Sequence, residues 1–211
     1  MTNETKKYLV YGAVGLVVIG GIAYYMLEPK NAIVREAHKY LGAEEYPNNA
    51  GFKSPAFEKK MNSIGWYTGA QWCSFFAKLV FTKALIGKRK ELAEQLISGS
   101  SQQTWANFKA DKSGLFETSD KPKRGSLVIW QSYTAPAQGH VGIVVDPAKK
   151  FFKTIEGNSN FVVVNLRDLK KNIKKDNDKV IKATESEGKV SYHIRQYTGD
   201  GMKLLGFVNV K

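Results

Sequence analysis

Cys73 is the only cysteine in the chain, and it stands in the stretch Gly69–Phe81, GAQWCSFFAKLVF. Trp72, Phe75, Phe76, Leu79 and Val80 recur there at spacings of three and four, which marks one apolar face of a helix. Gly69 ends what precedes it, so the spacing predicts a helix beginning near Ala70 or Gln71, with Cys73 in its first turn. Unpaired N–H groups and the helix dipole stabilise a thiolate at that position, and the thiolate is the nucleophilic form of cysteine. A thiol in this role needs a base. The chain has three histidines. His38 falls in an early helix. His193 falls in the strand-like run VSYHIR, on the face opposite Val190, Tyr192 and Ile194 and together with Ser191 and Arg195. Both read as surface residues. His140 opens GHVGIVV, where His140, Gly142 and Val144 share a face and Gly142 leaves space beside the ring. In FFKTIEGNSN, the residues Phe152, Thr154, Glu156 and, if the strand continues, Asn158 share a face. Two neighbouring antiparallel strands can therefore aim an imidazole and a carboxylate the same way. A cysteine at a helix tip, a histidine on a strand and a polar orienting group on the next strand have the chemistry of a cysteine hydrolase.

The elements that must position these groups follow from the change in periodicity. Asn31 can cap a helix running to about Leu41, with Gly42 as its stop. Glu44–Tyr67, rich in Asn, Pro and Gly, reads as irregular. Short helical and loop pieces fill 87–121. From Lys123 the period becomes two, and strands are expected at 126–131, 140–146, 151–156, 161–166, 190–195 and 204–210. Short turns separate most of them, so the sheet should be antiparallel. Helices first and strands later make an α+β layout. Residues 167–188 form a lysine-rich polar insertion between strands. Trp66, Tyr67 and Trp130 read as core aromatics, with a cleft wall as the alternative.

Residues 1–7 are a short polar tail. Tyr8–Leu27, YLVYGAVGLVVIGGIAYYML, carries no charge and as a helix would span roughly 30 Å, the thickness of a bilayer core. Tyr8, Tyr11, Tyr24 and Tyr25 stand at its two ends, as in an interfacial belt. No small-x-small cleavage site follows, and the run has no polar face, so a transmembrane helix is expected, with a globular domain over 28–211. Lys6 and Lys7 precede the span while Lys30, Arg35 and Lys39 follow it, so charge does not set its orientation. The formal net charge of +13 favours anionic partners. No nucleic-acid-binding motif accompanies it, so no specific nucleic acid is expected. A lone cysteine excludes an intrachain disulfide framework.

The ordered blocks Gln71-Trp72-Cys73-Ser74-Phe75-Phe76, Pro122–Trp130, Gly139–Val145, Thr154–Asn160 and Leu204–Val210 resemble the CHAP family of cysteine, histidine-dependent amidohydrolases/peptidases, within the papain-like peptidoglycan hydrolases. The resemblance runs over roughly residues 31–211. It implies a papain-like fold with N-terminal helices packed on an antiparallel sheet. It implies Cys73 as nucleophile, His140 as base, and Glu156 and Asn158 as orienting residues, with an amide bond of peptidoglycan as the target. No cofactor is implied. Some relatives bind calcium, but no tight Asp/Asn cluster supports a metal site here. Two features depart from the pattern: the length of 167–188, and Gln71-Trp72 where Pro or Gly is common before the nucleophile. Gln71 is either a second oxyanion donor or a helix-start amide facing water. An anchored enzyme of this kind fits a bacterial envelope or the membrane of a phage particle, with peptidoglycan, the lipid bilayer and virion or envelope proteins as partners. The alternative is a non-catalytic, membrane-anchored structural or wall-binding protein that retains the fold.

Overall fold

The computed structural model describes residues 28–148, 150–159, 188–197 and 201–211. The expected span at 8–27, the strand at 161–166 and the basic insertion up to residue 187 lie outside the described residues. Among the described residues no helix is long and apolar enough to cross a membrane.

Among the described residues, five α-helices precede the sheet. They are α1 (Pro29–His38), α2 (Pro55–Asn62), α3 (Cys73–Ala84), α4 (Gly87–Leu96) and α5 (Ser101–Ala110). Pro29 occupies the first helical position of α1, with Glu28 as its N-cap. Proline's fixed φ and missing N–H suit that position, and this displaces the cap expected at Asn31. Asn31 is instead buried inside the helix, donating to Glu28 Oε2 at 3.3 Å and accepting from Arg124 Nε at 3.1 Å. The segment read as irregular contains α2. Ser54 caps it by accepting from the Phe57 N–H at 3.3 Å, and Pro55 starts it.

The strands are β1 (Phe116–Ser119), β2 (Leu127–Ser132), β3 (Gly139–Pro147), β4 (Phe151–Ser159), β5 (Lys189–Gln196) and β6 (Met202–Val210). They form one sheet in the order β1-β6-β2-β3-β4-β5, with every neighbouring pair antiparallel. The last strand therefore lies between the first two.

Strand alternation gives the sheet two different faces. Leu127, Ile129, Val141, Ile143, Ile155, Val190 and Val208 join the helices in the main core. Helix α3 runs through the middle of that core, and Phe76, Leu79, Val80 and Phe81 are each at most 1% exposed. On the opposite face Val128, Trp130, Val144, Phe152 and Phe207 form a second, smaller apolar cluster. The registers Trp130↔His140, Val144↔Thr154, Phe152↔Arg195 and Thr154↔His193 continue that second face into a polar half made of His140, Thr154, Glu156, Ser191, His193 and Arg195.

Candidate active site

Helix α3 begins at Cys73 itself, slightly later than the sequence spacing predicts. Trp72 is its N-cap, and its side chain makes no capping hydrogen bond, so the first-turn N–H groups look to other partners. Trp72 is fixed from behind. Its ring is fully buried and its Nε1 donates to Glu45 Oε2 at 2.6 Å. Glu45 Oε1 in turn accepts from the Gly188 N–H at 2.9 Å. Gly157 allows β4 to approach this helix start: a Cβ there would lie 2.6 Å from the Trp72 ring and 2.7 Å from Phe76.

The Cys73 sulfur lies beside the His140 imidazole and the N–H groups of Val141 and Ser74, close enough for each to favour its thiolate. On the other side of the ring, His140 Nε2 meets Glu156 Oε2 at 2.8 Å, which leaves Nδ1 for the thiol. The His140 ring stacks on the buried Trp130 ring, with centroids 5.8 Å apart and planes inclined by 26°. Gly142 makes this arrangement possible. The space beside the imidazole is filled by Glu156: a Cβ on Gly142 would lie 2.8 Å from Glu156 Cγ.

Glu156 is fully buried. Its Oε1 accepts from Arg195 Nε at 2.8 Å and from Thr154 Oγ1, and its Oε2 accepts from Arg195 Nη2. The bond is a two-pronged guanidinium–carboxylate pair. The guanidinium carbon lies 5.2 Å from the centre of the Trp130 ring. His193 is also buried, bonded through Nε2 to Ser159 Oγ at 2.6 Å and Ser191 Oγ at 3.0 Å, and 3.9 Å from Glu156 Oε2.

These contacts determine the charges. Burial opposes a Cys73 thiolate, but the hydrogen bond and charge of His140, with the two N–H donors, outweigh it and hold the thiol below its ordinary value. Burial likewise opposes an imidazolium at His140. Its bonds to Cys73 and Glu156 and their charges prevail and raise it to about 10. Burial would raise Glu156, yet the neighbouring His193 ring, the Arg195 guanidinium and the bond to His140 keep its carboxyl well below the ordinary carboxylate range. Burial lowers His193 to about 4 against the pull of Glu156. At neutral pH His193 is thus uncharged, and the cations balancing Glu156 are Arg195 and His140. Both shifts favour a thiolate–imidazolium pair, backed by the carboxylate–guanidinium pair of Glu156 and Arg195.

Cys73, His140 and Glu156 converge. Asn158, the fourth nominated residue, turns elsewhere. It has a left-handed backbone with φ 53°, and its Oδ1 lies against Gly188, 2.7 Å from where a Cβ would stand. Gln71 is exposed. Of the three aromatics read as core, Trp66 and Trp130 are buried, but Tyr67 is 67% exposed. His38 is at the surface. His193 corrects its expected surface placement, because the polar face of β5 points at Glu156 and not at water. Arg195 shares that face and was not singled out from the sequence. Its alternation with Ser191 and His193 was visible there, but only the β4–β5 register shows what the face meets.

Residues 65–158 match the family model of the CHAP domain. This is the family that the ordered sequence blocks resemble. The match contains Cys73, His140, Glu156 and Asn158 and ends within β4, so β5, β6, His193 and Arg195 lie beyond it. A CHAP domain implies hydrolysis of peptidoglycan by amidase or peptidase chemistry. No curated protein matches the chain.

Proposed function

We propose that this protein is a cysteine hydrolase that cleaves an amide bond of peptidoglycan, as an endopeptidase or an amidase, with Cys73, His140 and Glu156 as its working groups. The observation that carries the reading is the meeting of the Cys73 thiol, at the first position of α3, with a His140 ring held from behind by Glu156. The thiolate attacks the carbonyl carbon, forming a C–S bond. The carbonyl oxygen takes up the charge beside the first-turn N–H groups of α3. The His140 imidazolium gives its Nδ1 proton to the amine nitrogen as the C–N bond breaks. Water then attacks the thioester, His140 takes its proton, and the C–S bond breaks to return the thiolate. Glu156 holds the ring and balances its charge throughout. Asn158 supports the β4 end from its position against Gly188.

In the same reading Tyr8–Leu27 anchors the chain in a bilayer, the domain over 28–211 faces the wall, and the basic surface suits an anionic polymer. The setting is a bacterial envelope or the membrane of a phage particle, where envelope or virion proteins are neighbours. The test is turnover by the full chain in detergent on purified peptidoglycan, with Cys73→Ala beside wild type and mass spectrometry of the released fragments. Hydrolysis that disappears in Cys73→Ala supports the reading. Equal activity in both, or none in wild type, supports a structural or wall-binding role instead.

A further inference from the structure

The site contains a charged group that its chemistry does not use. Arg195 reaches neither Cys73 nor His140 in the hydrogen bonds described, yet its side chain is only 12% exposed and both prongs of its guanidinium engage Glu156. Its far side lies against Trp130, the ring on which His140 stacks. One aromatic platform thus carries both the base and the cation behind its carboxylate. We infer that Arg195 is a positioning residue: it fixes the plane of the Glu156 carboxylate and makes the buried array of Cys73, His140, Glu156 and Arg195 electrically neutral, so that the thiolate–imidazolium pair persists over a wide pH range. The inference rests on the proposed roles of Cys73 and His140.

The argument is one of charge. Among the described residues, the charged and titratable groups facing Glu156 are His140 from β3 and His193 and Arg195 from β5, with Cys73 from α3 on the other side of His140. Strand β2 contributes the uncharged Trp130, and β4 the Thr154 hydroxyl. With His193 neutral, thiolate, imidazolium, carboxylate and guanidinium sum to zero. Without Arg195 the sum is minus one at a site whose central carboxylate is fully buried. A buried net charge is costly and drives proton uptake. If the proton goes to Cys73, the thiolate is lost at a higher pH than before. If it goes to Glu156, His140 loses its counter-charge and becomes neutral at a lower pH. Both outcomes narrow the range in which the pair exists.

The readout is the rate of Cys73 alkylation by iodoacetamide across pH in the full chain in detergent, which needs no wall substrate. In wild type, fast alkylation should extend well below the ordinary thiol range. The pH window over which the pair is held, followed by alkylation and by thiolate ultraviolet absorption, should be narrower by at least about one unit in Arg195→Gln. Arg195→Lys keeps the charge without the fork and should fall between the two. Should Arg195→Gln not fold, Arg195→Lys carries the test, since a looser clamp still narrows the window. A window unchanged in whichever variants fold overturns the inference and makes Arg195 a purely structural partner of Glu156. Loss of peptidoglycan hydrolysis in wild type alongside a normal alkylation window would overturn the proposed substrate and leave the role of Arg195 standing.

Discussion

Adding one methyl group at Gly142 should disable the site without touching a reacting atom. Gly142 lies in β3 with an extended backbone that alanine also adopts, so Gly142→Ala introduces no backbone strain. The new Cβ would lie 2.8 Å from Glu156 Cγ, 3.2 Å from Cδ and 3.3 Å from Oε1. Carbon atoms in contact sit about 3.5–4.0 Å apart, so the carboxylate must withdraw by roughly 0.7–1 Å. It has nowhere to go, because it is fully buried and held by Arg195, Thr154 and His140. A 2.8 Å bond to His140 Nε2 stretched by that amount ceases to be a hydrogen bond. Overpacking of this kind costs about 1–3 kcal/mol of stability, and a misplacement of about 1 Å in a catalytic array costs on the order of 10²-fold in rate. The assay pairs a urea-unfolding midpoint with the rate of peptidoglycan hydrolysis. A double-mutant cycle isolates the cause. In a Glu156→Ala background the methyl has room, so Gly142→Ala should cost little more of either quantity. If Gly142→Ala keeps both its midpoint and more than about half the wild-type rate, the packing of Glu156 against Gly142 does not support the base.

Other consequences are equally direct. The hydrolysis rate should fall in acid as Cys73 takes up a proton, and fall again above about 10 as His140 loses its own, giving a broad plateau in a pH–rate profile. His193 is held neutral down to about 4 against an ordinary 6.5. The unfolded chain therefore binds the extra proton first, and stability should drop by about 3 kcal/mol as pH falls through that window. In His193→Gln the unfolding midpoint should change less between neutral and mildly acidic pH. Trp72→Phe keeps the packing but removes the donor to the buried Glu45, and should lower stability by about 1–3 kcal/mol, read as a shift in urea midpoint. The full chain should partition into detergent or vesicles through Tyr8–Leu27, and a monodisperse chain in plain buffer would refute the anchor.

The chemistry of the candidate site was legible because three signals coincided: a lone cysteine at the start of an amphipathic helix, a histidine beside a glycine in a period-two run, and a carboxylate at matching parity in the next run. Parity alone put His140 and Glu156 on one face, and the register of β3 on β4 makes them neighbours. What parity cannot show is whether a polar face is wet. Ser191, His193 and Arg195 alternate as a solvated face would, and they are covered because the sheet's second face has its own small core. Helix α2 was masked by the Asn, Pro and Gly around it, although Ser54 and Pro55 are its start signals. Strand β1 is four residues long and too short for its alternation to register. The start of α3 at Cys73 is set by tertiary contacts of Trp72 that no local pattern encodes.

The position of β6 imposes an order on the assembly of this molecule. Strand β1 has β6 as its sheet partner and β2 is an edge until β6 arrives, so the first two strands made must wait for the last. As the chain emerges from the ribosome, β2, β3 and β4 can pair as soon as they appear, whereas the sheet closes only after residues 202–210 are available. Those pairings join residues far apart in sequence, which makes them slow to form. Trp130, the platform beneath His140, belongs to the strand that waits. A domain with this strand order is thus incomplete until residues 202–210 have been made, and removing them would open the sheet in the middle and not at its border.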